Sequence, residues 1–237
     1  MPDLTIPTTD PSRSLRAYLA LPEADEPRPA VIVIHEIMGL NRDVREKADR
    51  FAAMGYVALA PHLYSGRGPM PICVVRAARE LRRGSGTSFD DLEACRQWLA
   101  ERPEVDPART GVAGFCIGGG FALLYAVRAP LGAGAVFYGD VPKDSSELEG
   151  VCPVVASYGA RDRVFAPQAV RLEEHLSELG VPHDIRIYDG AGHSFTSDHK
   201  GVLAKLNSWG PMKLGFNPQA SSDSWQRVEG FFSAHLG

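Results

Sequence analysis

The pattern that most constrains this chain is an alternation, repeated from end to end, of short apolar runs with longer amphipathic stretches. The runs Arg16–Leu21, Ala30–His35, Tyr56–Pro61, Arg109–Gly114, Gly134–Tyr138, Pro153–Tyr158 and Asp184–Tyr188 are mostly continuous in Val, Ile, Ala and Tyr. A strand with one wet face alternates apolar and polar side chains, whereas runs of this kind suit strands covered on both faces. Between them lie stretches with helical spacing and readable ends. Asn41 stands where a cap opens a helix carrying Val44, Ala48 and Phe51, and Gly55 where that helix closes. Ser88 opens a second, with Leu92, Cys95 and Leu99 on one stripe. A third carries Ala169, Leu172, Leu176 and Leu179 and stops at Gly180. Asp223 with Gln226 reads as a capping box for a last helix bearing Trp225, Val228 and Phe232. Such alternation predicts an α/β fold, a mainly parallel central sheet with helices on both faces.

The 237 residues suit one such domain, 1–237, with no linker, charge block or repeat to divide it. Lys and Arg number 25 against 29 Asp and Glu, a net charge of −4, so no basic excess exists to neutralise phosphates and nucleic acid is not an expected partner. Apolar runs such as Ala30–Ile34 fall far below the ~20 residues that cross a bilayer. The first residues, Met1–Leu15, are polar and proline-punctuated, without a signal-peptide core. A cytoplasmic protein with no membrane partner is therefore expected. The cysteines Cys73, Cys95, Cys116 and Cys152 are scattered, with no C-x-x-C pair, which points to neither a disulfide framework nor a metal cluster. Segments 63–86 and 196–222 resist assignment and exceed the usual connection length, so each is a candidate lid or pocket wall.

The most informative segment is Gly114-Phe115-Cys116-Ile117-Gly118, the G-x-S-x-G nucleophile elbow with cysteine in place of serine. A strand feeds it and a helical stretch, Phe121–Val127, follows. The glycines answer a steric need, because a nucleophile on so sharp a strand-to-helix turn leaves no room for side chains two residues away. The turn also sets Cys116 at a helix N-terminus, where the dipole favours a thiolate, and aims the Ile117 N–H at a developing oxyanion. A phosphate-binding glycine loop fits less well, since no Lys-Ser or Lys-Thr follows and Leu123 stands where a third glycine would be needed. An elbow calls for an acid and then a histidine downstream. Asp162 follows the Pro153–Tyr158 run and His193 follows Asp184–Tyr188, both in loops where open α/β sheets place their sites. His193 would take the thiol proton and Asp162 would fix its tautomer. Asp140 and Asp189 are weaker candidates for the acid, and His62 and His199 read as solvated or structural.

The segment His35-Glu36-Ile37-Met38-Gly39 leaves the second run. A zincin would need a second histidine at position 39, where Gly39 stands, so a metal site is rejected. At this place in the fold the Ile37 N–H is the candidate for the second oxyanion donor. Glu36 is either a solvated glutamate paired near Arg42 or Arg45, or a functional carboxylate. Residue by residue the two readings stand level. If it lies by the thiol, it cannot stabilise a thiolate, because two like charges in one small site disfavour double ionisation; it would accept a proton or restrain the resting thiol.

Taken together, HEIMGLN (35–41), GYVALAPHLY (55–64), VDPARTGVAGFCIGGG (105–120), YGARDR (158–163) and GAGHSF (190–195) resemble the dienelactone hydrolase family of α/β-hydrolases, in order and across most of the chain. The resemblance implies an α/β-hydrolase fold, a triad of Cys116, Asp162 and His193, and a Glu36 close to the thiol that takes part in its ionisation. It implies hydrolysis of a small lactone or carboxylic ester through a thioester, without a cofactor. It offers Tyr64 and Arg67 as substrate-binding residues, although Arg67 is shifted by one from the family's first arginine and Ser197 occupies the place of the second. In the insertion 198–222, Trp209 and Phe216 would either build a different pocket wall or pack at the surface against the last helix. Two other readings stand beside this one: a general short-chain carboxylesterase, and a silent hydrolase fold used for binding or thiol sensing, against which the intact triad argues.

Overall fold

In the computed structural model, residues 3–198 and 210–237 are described. The apolar runs become seven strands of an eight-stranded sheet; all are inner strands except the last, Asp184–Tyr188, which forms an edge and is only partly covered, against the expectation for it. In chain order the elements are β1 (Asp3–Pro7), β2 (Ser14–Ala20), β3 (Arg28–Ile34), α1 (Arg42–Ala53), β4 (Val57–Pro61), α2 (Met70–Arg83), α3 (Thr87–Ala100), β5 (Val105–Phe115), α4 (Ile117–Ala126), β6 (Ala133–Phe137), β7 (Val154–Gly159), α5 (Ala166–Glu178), β8 (His183–Tyr188) and α6 (Pro218–Leu236). The sheet order is β1-β2-β4-β3-β5-β6-β7-β8. From β4 through β8 neighbouring strands run parallel, while β1 and β2 form an antiparallel margin. This is the expected α/β architecture. After β3 the chain steps outward to β4 and then returns to place β5 on the other side of β3. The carboxyl ends of β3 and β5 thus flank the point where the winding reverses, the crevice in which open α/β sheets bind ligands.

Helices cover both faces. On one, α1 meets α6 through Phe51, whose ring centroid lies 5.2 Å from Trp225 and 5.7 Å from Phe232. Phe115 and Phe137 stack at 4.5 Å and reach the same tryptophan, so the strand ends that carry the site are locked to α6. Elsewhere α3 packs on α4, with Phe89 5.1 Å from Phe121.

Four local expectations are corrected. The polar N-terminus forms an edge strand, β1, because its backbone finds a partner in β2. The segment 63–86 contains a helix, α2, which begins with proline in its first turn and ends at Gly84 with φ +60°. Ser88 lies inside α3 instead of capping it, and its buried hydroxyl donates to Glu80. The last helix starts at Pro218, capped by Asn217, whose side chain accepts from the Ala220 N–H at 3.0 Å. Asp223 sits more than a turn inside, bonded to Tyr188 and Arg186.

Candidate active site

Cys116 sits between β5 and α4 with φ +56°, a conformation costly for any residue with a Cβ. The sequence permits it through Gly114 and Gly118. A Cβ on Gly114 would meet the Gly118 carbonyl oxygen at 1.9 Å, and one on Gly118 would meet the Ile34 carbonyl oxygen at 2.5 Å. The elbow therefore packs directly on the end of β3, and that contact brings Cys116 beside Glu36. Tyr138 (φ +44°) and Ser194 (φ +53°) are strained in the same way at the neighbouring strand ends.

On the histidine side, His193 Nδ1 lies 2.6 Å from Asp162 Oδ2. Asp162 is fully buried, and its other oxygen accepts the N–H groups of Val164 and Phe165 at 3.0 and 3.1 Å. The carboxylate is thus fixed at both oxygens, and the imidazole rests between the rings of Tyr138 (4.9 Å) and Phe165 (4.7 Å). His193 Nε2 is buried and has no hydrogen-bond partner among the described residues. Asp140 takes no part in this arrangement.

On the other side, Glu36 is buried and surrounded by donors. Its Oε1 accepts from the Tyr138 hydroxyl at 3.1 Å and from Ser197 at 3.4 Å, and its Oε2 accepts from Ser194 at 3.3 Å. The nearby cation is Lys47, with Nζ 3.7 Å from Oε1. Arg42 and Arg45 pair instead with Glu46 and Asp3. The consequence for the thiol reverses the expectation from the helix dipole: Cys116 is pushed up to about 12. Burial is the largest cause and the negative charge of Glu36 the next, and together they outweigh the hydrogen bond from the Ile117 N–H, which lowers it. At neutral pH Cys116 is therefore a thiol.

The remaining sequence candidates are distributed around this centre. Ile37 and Ile117 follow Glu36 and Cys116 on the two adjoining turns, and the Ile37 side chain is exposed at the rim. Tyr64 is buried and its hydroxyl has no partner among the described residues; burial first, and the nearby Cys116 and Cys73 after it, push the hydroxyl above the ordinary tyrosine range. With Met38, His62, Gly66 and Met70 it lines a groove at the mouth. Arg67 is engaged elsewhere: its guanidinium pairs with Glu80 and donates to Ser88. Ser197 is buried, bonded to Lys47 and Asp43 as well as Glu36. Phe216 is half-exposed and lines a separate groove with Arg161, Gly192 and Lys213. Trp209 and His199 lie outside the described residues. Among the described residues, no group of three or more His, Cys, Asp or Glu is placed to hold a metal ion.

Sequence reasoning missed two residues. Lys47 read as one more charge on a polar helix, and its i, i+4 relation to Asp43 was the available signal. His35 was considered only as a metal ligand. Its Nδ1 meets the Glu36 carbonyl at 2.6 Å and its Nε2 accepts the Leu63 N–H at 3.1 Å, which fixes a neutral tautomer and ties the Glu36–Ile37 turn to β4. Burial pushes His35 down to about 4.

A mainly parallel sheet, a strained residue at a strand-to-helix elbow, and an acid and histidine following later strands define the α/β-hydrolase class. A sequence model of the Dienelactone hydrolase family matches residues 15–236, so this chain belongs to the dienelactone hydrolase family and is a hydrolase of the ester and lactone class. It is 30% identical over 250 residues to a Synechocystis protein named "Putative carboxymethylenebutenolidase", covering 96% of each chain. The crystal structure titled "Putative Dienelactone Hydrolase" from Klebsiella pneumoniae superposes with a TM-score of 0.80 at 26% identity, over 98% of this chain and 97% of that one. A dienelactone hydrolase-like promiscuous phosphotriesterase from metagenomic libraries, 23% identical with a TM-score of 0.82 over 100% of this chain and 99% of that one, shares the fold.

Proposed function

We propose that the chain hydrolyses a small carboxylic ester or lactone by covalent catalysis at Cys116, through a thioester and without a cofactor. The observation that carries this reading is the buried Asp162–His193 pair, whose Nε2 has no partner among the described residues, together with a thiol on a strained elbow that feels the charges of Glu36 and Asp162. Cys116 Sγ attacks the substrate carbonyl carbon as its proton passes to His193 Nε2, and Asp162 steadies the imidazolium. The N–H groups of Ile37 and Ile117 receive the oxyanion. Collapse breaks the acyl C–O bond, and His193 returns the proton to the departing oxygen. A water then attacks the thioester with His193 as base and restores the thiol. Glu36 restrains the resting thiol and is a second proton acceptor. Tyr64 meets the bound acyl group.

A general short-chain carboxylesterase is the second reading, favoured by the state of Arg67. A guanidinium already held by Glu80 and Ser88 is poorly available to a substrate carboxylate, so neutral esters suit this site better than an anionic lactone. A cytoplasmic setting fits four cysteines that are all thiols.

The test is a screen of nitrophenyl esters and of neutral and carboxylate-bearing lactones, with acyl-enzyme trapped by mass spectrometry. Acylation mapped to Cys116, and turnover reduced on the order of 10⁶-fold in Cys116→Ala, is the expected outcome. Undiminished turnover in that variant would remove the cysteine from the reaction. A strong preference for the anionic lactone would restore Arg67 as its partner.

A further inference from the structure

Lys47 is a buried charged group at the site that the reaction as written does not use. Its side chain is 5% exposed, and a buried ammonium is costly unless paired and hydrogen-bonded. Asp43 on the same helix pairs with it at 2.5 Å. That contact alone would satisfy its charge, and a lysine needing only Asp43 could stay at the surface. Instead the ammonium is carried inward, over the Phe115 ring at 4.3 Å, to Ser197 at 2.6 Å and Glu36 at 3.7 Å. Ser197 Oγ touches all three charged groups, at 2.6 Å from Lys47, 3.0 Å from Asp43 and 3.4 Å from Glu36. One cation thus serves two carboxylates, and the nearer to the nucleophile is the one it reaches through the protein interior.

We propose that Lys47 is a positioning residue for the hydrolysis: its ammonium keeps Glu36 a carboxylate in the site it shares with Cys116. The inference rests on the reading of Cys116 as nucleophile and Glu36 as the charge that governs it. The groups facing Glu36 come from every neighbouring element. Lys47 and Asp43 lie on α1, Cys116 on the elbow and Tyr138 beyond β6; Ser194, Ser197 and the His193–Asp162 pair belong to the histidine side, and His35 lies on its own turn. Tyr138, Ser194 and Ser197 offer neutral donors that suit either protonation state; Lys47 is the group among these that favours only the anion. An opposite charge within this distance commonly moves a carboxyl titration by about one to three pH units.

The decisive measurement is an infrared titration of the full-length protein, following the protonated-carboxyl C=O stretch assigned to Glu36 by its absence in Glu36→Gln. In Lys47→Met that band should persist to a pH about one to three units higher than in the wild type. Lys47→Arg should restore most of the wild-type midpoint. Asp43→Asn removes the competing carboxylate and should move the midpoint the other way, to lower pH; it carries the test if Lys47→Met yields no folded protein. A wild-type midpoint in Lys47→Met, a shift as large in Lys47→Arg, or no opposite shift in Asp43→Asn overturns the proposal. Packing alone would move none of these midpoints. The titration needs no turnover, so it is distinguishable from a failure of the cysteine reading, which the Cys116→Ala assay reports separately.

Discussion

Asp162 and Glu36 are both buried carboxylates near Cys116, yet the protein spends their charges differently. Asp162 has both oxygens occupied, one by two backbone N–H groups and one by His193, so it has a single geometry and a single neighbour to serve. Among the described residues Glu36 meets three hydroxyls and a lysine at 3.1 to 3.7 Å, partners that come from three separate segments. In the proposed reaction the first arrangement prepares a base before substrate arrives. The second adds a negative charge to the burial that already holds the thiol protonated. On that proposal nucleophile and base are both in place at rest, and ionisation of the nucleophile is what is withheld.

The sharpest way to break that contrast is Asp162→Asn. It keeps the shape and loses the tautomer control of His193, so kcat should fall on the order of 10⁴-fold, while Asp140→Asn leaves turnover near wild type. Equal losses would mean that the two aspartates had been ranked wrongly.

Glu36→Gln comes next. A loss of turnover of about 10²-fold fits a group that handles a proton. At the same time iodoacetamide should alkylate the resting Cys116 at least as fast as in the wild type, because the charge that raises the thiol has gone. Slower alkylation with unchanged turnover would retire Glu36 from the site.

A third effect falls on stability. His35 is held neutral in the fold and pushed down to about 4, below its ordinary value of 6.5. A histidine depressed in this way adds stability above pH 6.5 that is lost as the pH falls towards 4, because the unfolded chain binds the proton first. Chemical denaturation between pH 7 and pH 4 should show this loss in the wild type and a flatter profile in His35→Gln. Parallel profiles would assign the acid sensitivity elsewhere.

The smallest expected effect belongs to Tyr64. Its hydroxyl is buried without a partner among the described residues, so Tyr64→Phe should leave stability unchanged or slightly raised. If the hydroxyl meets the acyl group, kcat/KM falls about fivefold, the worth of one neutral hydrogen bond. An unchanged kcat/KM would leave Tyr64 as a wall of the groove only.

The histidine side was legible in the sequence because its signals are local: Asp162 and His193 each follow an apolar run, and glycines sit where the turns require them. The glutamate side was not, because its logic is made between elements. Lys47 reaches Glu36 from a helix whose polar spacing reads as a wet face, and Ser197 joins them from a third segment. The strain at Tyr138 depends on how β6 ends against its neighbours, which no residue pattern records. Helix α2 was missed for a different reason. Its start at Met70-Pro71, after Gly66 and Gly68, looks like more loop, although proline in a first turn is a helix signal. The same signal, Asn217-Pro218, marks the true start of the last helix, ahead of the capping-box pattern at Asp223.

The backbone on either side of residues 199–209 is stapled to the histidine loop. His193 N–H donates to the Met212 carbonyl at 2.8 Å, Gly215 N–H to that of His193 at 3.3 Å, and Asn217 N–H to that of Phe195 at 3.0 Å. On the near side, Ser197 N–H returns to Ser194 at 3.0 Å. The imidazole's position is therefore set by contacts that close before and after the intervening stretch. The imidazole is thus held by a knot of main chain, and side-chain substitutions at Met212, Gly215 or Asn217 that leave these carbonyls and N–H groups in place should leave the register of His193 intact.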